Sequence, residues 1–368
     1  MTRTDDLLPI GLEDRLPTEA RAITTAMRNA LGAMDSHGYD RVSPPLVEFE
    51  RSLAGRMDGV GTQKQFRFVD PASFQTLALR SDITPQLGRI ASTNMADVPR
   101  PLRLCYAGEV TTMVADQLAP ARQRTQIGAE LIGSDTVAAA SEIVLLALEA
   151  VEATGATGLS LDFTLPDLVD TLAADALPLA EGKVEAVRRE LDTKDAGGLV
   201  SAGGEAYLPL IHAAGPLADA IVRLRAIDAG GVLATRLDAL ETIAANVGTR
   251  ARITLDPTER HGFEYQSWLG FTLYAEGARR SLGRGGTYAI GGTEEAATGF
   301  SLYLDALLPV LPVASAQKLL FLPLKHDIAI AARLRREGWR TVAALSENDS
   351  PLSLGCTHHM ANGEPQPI

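Results

Sequence analysis

A chain of 368 residues has room for two or three domains and a sizeable core. With 46% hydrophobic and 22% charged residues it is an ordinary globular sequence rather than a disordered one. Its formal net charge of −12 opposes a polyanionic partner, and two cysteines, Cys105 and Cys356, are too few for a disulfide framework. The start Met-Thr-Arg-Thr-Asp-Asp has no apolar signal core, and no apolar run is long enough to span a bilayer. A cytoplasmic protein without a nucleic-acid or membrane partner is expected.

Pro17 opens the first expected helix: Ala20, Ile23, Met27, Ala30, Leu31 and Met34 recur at helical spacing, and Gly38 is placed to stop it. A strand is expected near Val42–Leu46, with Pro44 and Pro45 marking an exposed or edge position. After Ser134 a second long helix carries Ala138, Ile143, Leu146, Ala147, Ala150 and Val151 on one side, ending at Gly155. Leu159, Leu161 and Phe163 alternate with polar residues, which predicts a strand. From about 166 to 248 the chain is rich in alanine and leucine without β-branched runs, and reads as a mostly helical insertion.

Arg252–Asp256 predicts a strand, and Phe263–Tyr265 with Phe271–Leu273 an antiparallel pair. Arg284-Gly-Gly lacks both glycine-rich phosphate-loop patterns and reads as a turn between strands. Thr298–Leu311 is apolar enough for a buried strand running into a helix. Leu319–Pro323, Ile328–Gly338 and Arg340–Leu345 then form a βαβ unit. The basic run Arg333-Leu-Arg335-Arg336 falls on that helix and reads as its solvated face. Cys356-Thr-His358-His359 has no second ligand pair at zinc spacing, so a surface turn is expected there and no metal site.

The chemistry concentrates in a few segments: Leu77-Ala-Leu-Arg80-Ser-Asp82-Ile-Thr84, Arg103-Leu-Cys-Tyr-Ala-Gly-Glu-Val-Thr-Thr112, and Gln126-Ile-Gly-Ala-Glu130-Leu-Ile-Gly133. By residue type alone, Gln126 and Glu130 could be a solvated face or a polar pocket: carboxylates suit an ammonium, and an imidazole needs acceptors for its N–H groups. Over roughly the first 312 residues these segments resemble a class II aminoacyl-tRNA synthetase of the histidyl type. The run His261-Gly-Phe-Glu264-Tyr265-Gln266 resembles that family's Arg-Gly-Leu-Asp-Tyr-Tyr. Gly285-Gly-Thr-Tyr288 resembles its Gly-Gly-Arg-Tyr, and Gly299-Phe-Ser-Leu-Tyr-Leu-Asp305-Ala306 its third motif.

The resemblance implies an α+β fold: an antiparallel sheet flanked by helices in residues 1–312, with a helical insertion, and a truncated anticodon-binding-like βαβ unit in 313–368. The 52 residues from Gln317 onward are too few for a complete module of that kind. It also implies a histidine pocket from Asp82, Thr84, Gln126, Glu130, Tyr265 and Tyr288, and a homodimer built through the strand near Val42–Leu46. Where synthetases carry catalytic arginines this chain has Thr112, His261 and Ala306, and a neutral side chain cannot replace a permanently charged bidentate fork. The resemblance extends to the regulatory subunits of ATP phosphoribosyltransferase, synthetase paralogues without synthetase activity of their own. Such a subunit needs no cofactor; its implied partners are a short-form catalytic subunit, a second copy of itself, and L-histidine. An active histidyl-tRNA synthetase, using ATP, Mg²⁺ and tRNA, is the alternative.

Overall fold

The computed structural model describes residues 8–54, 65–114, 120–228, 230–260, 266–291, 293, 295–312, 318–361 and 363–368. Two compact units divide the chain, Met1–Leu311 and Pro312–Ile368. In the first, helix α1 (Pro17–Ser36) starts with proline inside its first turn, where a missing N–H costs nothing, and buries Ile23, Ala26, Ala30 and Met34. Strand β1 (Asp40–Arg41) follows, then β2 (Val47–Phe49), α2 (Glu50–Ala54), β3 (Arg67–Val69) and β4 (Thr76–Leu79). The expected strand at Val42–Leu46 falls in the irregular stretch between β1 and β2, because Pro44 and Pro45 cannot donate to a ladder.

A helix absent from the sequence reading, α3 (Thr84–Ser92), begins at Thr84-Pro85 and buries Leu87 and Ala91. The long strands β5 (Leu102–Thr111) and β6 (Gln123–Ile132) come next, then α4 (Val137–Glu152), buried on most of its surface. Thr136 caps α4, its hydroxyl accepting from the Ala139 N–H at 3.3 Å. Thr136→Ala is expected to cost about 1 kcal/mol, measurable as a lower denaturant midpoint without a change in slope.

Strand β7 (Leu159–Thr164) leads into helices α5 (Leu168–Ala174), α6 (Val184–Asp192) and α7 (Ala196–Ser201), the two-residue strand β8 (Gly215–Pro216), and helices α8 (Leu217–Ile227) and α9 (Ala234–Val247). Strands β9 (Arg252–Leu255), β10 (Gln266–Ala275), β11 (Gly283–Ile290) and β12 (Glu295–Tyr303) then close the unit with α10 (Leu304–Leu307). The main sheet has nine described strands in the order β1-β5-β6-β12-β11-β10-β7-β9-β8. Its long central strands pair antiparallel, with β1 parallel to β5 and β7 parallel to β9. A smaller sheet, β2-β4-β3, stands apart from it. None of the described helices is long and apolar enough to cross a membrane.

Two expectations fail in this region. Phe271–Leu273 does not pair with the segment before it, because β10 runs on continuously from Gln266 and pairs with β7 and β11. Residues 263–265 lie outside the described residues. Arg284-Gly-Gly lies inside β11 rather than in a turn. The glycine there serves close packing: a Cβ on Gly285 would overlap the Phe271 ring on the adjacent strand.

Strand periodicity gives the sheet two different faces. Cys105, Ile127, Ala129, Leu131, Phe300 and Leu302 point into the large apolar core shared with α1, α4 and α9. The opposite face carries Leu104, Tyr106, Ile132, Tyr288, Ile290 and Ala297, roofed by Ile83, Leu87 and Ala91 at the start and along α3. The polar residues singled out from sequence lie on this second face.

The second unit consists of β13 (Leu319–Leu322), α11 (Ile328–Arg336), β14 (Arg340–Ala343), β15 (His358–Ala361) and β16 (Glu364–Pro367), with sheet order β14-β13-β15-β16. The Cys356–His359 segment is not a surface turn: Cys356 is buried against Phe321 and Ala344, and His358 and His359 sit within β15. Arg333, Arg335 and Arg336 are exposed on α11, where Arg333 pairs with Glu337 at 2.9 Å.

Candidate functional site

Antiparallel register builds the site. Glu130 of β6 lies opposite Leu104 of β5 and Gly299 of β12, and Gln126 lies opposite Gly108 and Tyr303. Residues two apart share a face, so Gln126, Gly128 and Glu130 line up with Tyr106 on one side and Gly299 and Ser301 on the other. Gln126 is 0% and Glu130 1% exposed, which settles the pocket-or-surface question in favour of a buried polar hub. Position 299 must be glycine for this hub to exist: a Cβ there would overlap the Glu130 carboxylate and lie 2.9 Å from the Ala129 carbonyl oxygen.

Glu130 is the centre. Its Oε2 accepts from the Tyr288 hydroxyl at 2.8 Å, and its Oε1 from the Thr84 hydroxyl at 3.0 Å and the Tyr106 hydroxyl at 3.5 Å. Gln126 is the second anchor. Its Oε1 accepts from the Ile83 N–H at 2.9 Å, while its Nε2 donates to Asp82 Oδ1 at 2.7 Å and Ser301 Oγ at 2.8 Å. Asp82 also accepts from the Thr84 N–H at 3.0 Å, which fixes the turn entering α3. Four of the expected pocket residues, Thr84, Gln126, Glu130 and Tyr288, thus meet within one network, and Asp82 joins it through Gln126. Tyr265 and His261 lie outside the described residues.

Two members were not expected from sequence. Tyr106 links Thr84 at 3.1 Å and Ser301 at 2.8 Å. The signal that could have found them is the two-residue period of β5 and β12 read outward from Gly108 and Gly299. Burial dominates the electrostatics. Desolvation raises the Glu130 pKa from 4.5 to about 8, with its hydrogen bonds from Tyr288 and Thr84 opposing and the Asp82 charge reinforcing. Tyr106 is likewise raised well above its ordinary range, first by burial and then by Glu130 and Asp82. The hub therefore holds a protonated carboxyl near neutral pH.

Beneath the hub Arg80 is a strut. Its Nε donates to the Glu109 carbonyl at 2.8 Å and its Nη1 to Pro44 O at 2.8 Å and Gln86 Oε1 at 3.2 Å. A cavity of about 20 Å³ lies against Thr84, Glu130, Tyr288 and Ser301, room for one water. A neighbouring cavity of about 130 Å³ lies by Asp167, Asp170, Arg188 and Arg260, and both cavities border Gln266 and Arg284. Among the described residues, no cluster of three or more His, Cys, Asp or Glu could hold a metal. Thr112 follows β5, its N–H bonded to the Arg122 carbonyl at 2.8 Å. Ala306 is buried in α10 at 2% exposure.

The histidyl-tRNA synthetase family model matches residues 11–307. An ATP phosphoribosyltransferase regulatory subunit from Rhodospirillum centenum is 42% identical, over 98% of this chain and 96% of the relative. The chain belongs to the ATP phosphoribosyltransferase regulatory subunit family. A second member, from Paramagnetospirillum magneticum, is 40% identical over 96% of both chains. The fold is that of the histidyl-tRNA synthetases. A crystal structure described as an ATP phosphoribosyltransferase regulatory subunit/histidyl-tRNA synthetase from Bacillus halodurans superposes with a TM-score of 0.81, at 22% identity. That superposition covers 96% of this chain and 97% of the other. The buried hub is thus a feature of a regulatory-subunit family member on a synthetase scaffold.

Proposed function

We propose that this chain is a non-catalytic regulatory subunit of ATP phosphoribosyltransferase. It acts in the cytoplasm as a homodimer within a mixed oligomer, docks onto a short-form catalytic subunit, and gives that enzyme its feedback sensitivity to L-histidine. The observation that carries the reading is near-full-length similarity to regulatory subunits at 40–42% identity. The site supports it. Thr112 has a short neutral side chain and Ala306 a buried methyl group, so neither position supplies the guanidinium that holds a phosphate during adenylate formation. His261 is the third such position by sequence.

Mixing the purified subunit with a short-form catalytic subunit tests the proposal. A larger species by light scattering is expected, with faster phosphoribosyl transfer that histidine inhibits. Absence of both the complex and the rate change refutes it. Inhibition requires histidine to bind the inactive arrangement of the complex more tightly than the active one, since only differential affinity shifts the equilibrium. The match to the synthetase family model is shared by the alternative, a histidyl-tRNA synthetase, which the regulatory-subunit relatives do not favour. The −12 charge opposes tRNA, and histidine-dependent pyrophosphate exchange on the order of 1 s⁻¹ would establish that activity.

We assign the histidine pocket to Asp82, Thr84, Gln126, Glu130, Tyr265 and Tyr288. With about 20 Å³ open at the hub, a ligand has to replace internal hydrogen bonds there, each worth about 0.5–1.5 kcal/mol net. Weak affinity in the isolated subunit is therefore expected, and weaker still in Glu130→Ala. Calorimetric titration with histidine checks this, and equal affinity in the two proteins would place the ligand elsewhere.

A further inference from the structure

Beyond the hub, the same face of the sheet changes character. Arg124 lies two residues before Gln126 on β6, Tyr303 lies opposite Gln126 on β12, and Arg284 of β11 lies opposite Ser301. The two-residue period puts all three on the hub's side of the sheet. The Arg124 guanidinium stacks on the Tyr303 ring, 4.1 Å from its centroid. Arg280 enters from the connection between β10 and β11. We propose that Arg124, stacked on the Tyr303 ring, forms with Arg284 and the neighbouring Arg280 a binding site for a compact, multiply charged phosphate anion.

The first support is donor supply without acceptors. Among the described residues no hydrogen bond or ion pair engages Arg124 or Arg280, although both are half-buried. The carboxylate that bears on Arg280, Asp305, is already engaged, accepting from Arg15 at 2.6 Å and the Thr125 N–H at 2.8 Å. The second support is like-charge crowding. Burial first, and then the positive charge of Arg124, push the Arg280 pKa below the ordinary arginine range, with Asp305 opposing. Two guanidiniums that repel one another are stabilised by an anion between them.

The third support is shape and charge. Arg284 borders both cavities on this face, so an anion held here has open volume beside it. A guanidinium fork matches phosphate geometry, and the forks of Arg124 and Arg280 beside the Arg284 charge suit a multiply charged group better than a single carboxylate. A chain of net charge −12 repels anions overall, so binding of one marks a local site.

Inorganic pyrophosphate is the probe, titrated calorimetrically into the full chain at low ionic strength, with thermal melts in parallel. Wild type is expected to bind it and to melt higher with it. R124Q and R280Q are each expected to weaken binding by about tenfold or more, the size of one lost charge-assisted hydrogen bond. R333Q, altered on exposed α11, is expected to bind as wild type does. Without the anion, R280Q is expected to melt no lower than wild type, because it relieves repulsion. Should R124Q fail to fold, R280Q decides alone. The proposal is overturned if wild type shows neither heat nor a melting shift at millimolar pyrophosphate, if R280Q binds as tightly as wild type, or if R333Q weakens binding equally. It does not depend on the identity of the catalytic partner.

Discussion

As pH rises from about 5 to about 8, the wild-type chain is expected to lose stability that a Glu130→Gln variant keeps. In the unfolded chain Glu130 ionises near its ordinary value of 4.5, whereas in the fold burial holds its proton up to about 8. Between those values the folded state binds the extra proton, so the Glu130 contribution is largest below 4.5, falls as pH rises, and levels off above about 8. A shift of this size corresponds to at most about 4–5 kcal/mol, a large share of the stability of an ordinary domain. Glutamine cannot ionise and is close to isosteric, so the difference between the two proteins isolates this one group. Urea unfolding of both across that range is the measurement. A stability difference that stays constant with pH would show that Glu130 is ionised in the fold. The same linkage means that a cationic ligand seated at the hub drives a proton off Glu130, and its affinity should therefore depend on pH.

Gly299→Ala is expected to destabilise the first unit by roughly 4 kcal/mol. The added methyl overlaps the Glu130 carboxylate and lies 2.9 Å from the Ala129 carbonyl oxygen, in a sheet held on both sides by paired strands. Overpacking of this kind costs about 1–3 kcal/mol, and expelling Glu130 strands the hydroxyls of Tyr288 and Thr84 at about 1–3 kcal/mol more. The mechanism predicts non-additivity. Adding Glu130→Ala vacates the space the methyl needs, so the double variant should be more stable than the sum of the single changes. Strict additivity in a double-mutant cycle would locate the strain in the backbone instead.

Much of the fold was legible in the chain. Helices α1 and α4 followed from apolar spacing with their start and stop residues, and β7 from simple alternation, because these patterns are local. The misreadings also share a physical origin. Glycines in Arg284-Gly-Gly looked like a turn, yet they mark where the Phe271 ring presses on β11. Cys356–His359 looked exposed, but its burial depends on Phe321 and Ala344 arriving from elsewhere in the chain. Helix α3 was missed because it is short and its covered face is set by the sheet beneath it.

For the site, sequence by itself determined which groups were available and that Gln126 and Glu130 share a face, since a spacing of four falls on one face of a helix or a strand alike. It also showed that Thr112, His261 and Ala306 carry no guanidinium. Only the tertiary structure decided that the face is buried, that Glu130 meets Tyr288 from 158 positions away, and that Arg124 and Arg284 converge on Tyr303. The reason is strand order. Periodicity fixes which way a side chain points within its own strand, but the environment it points into is set by the neighbours β5, β12 and β11, and that adjacency exists only once the sheet has assembled.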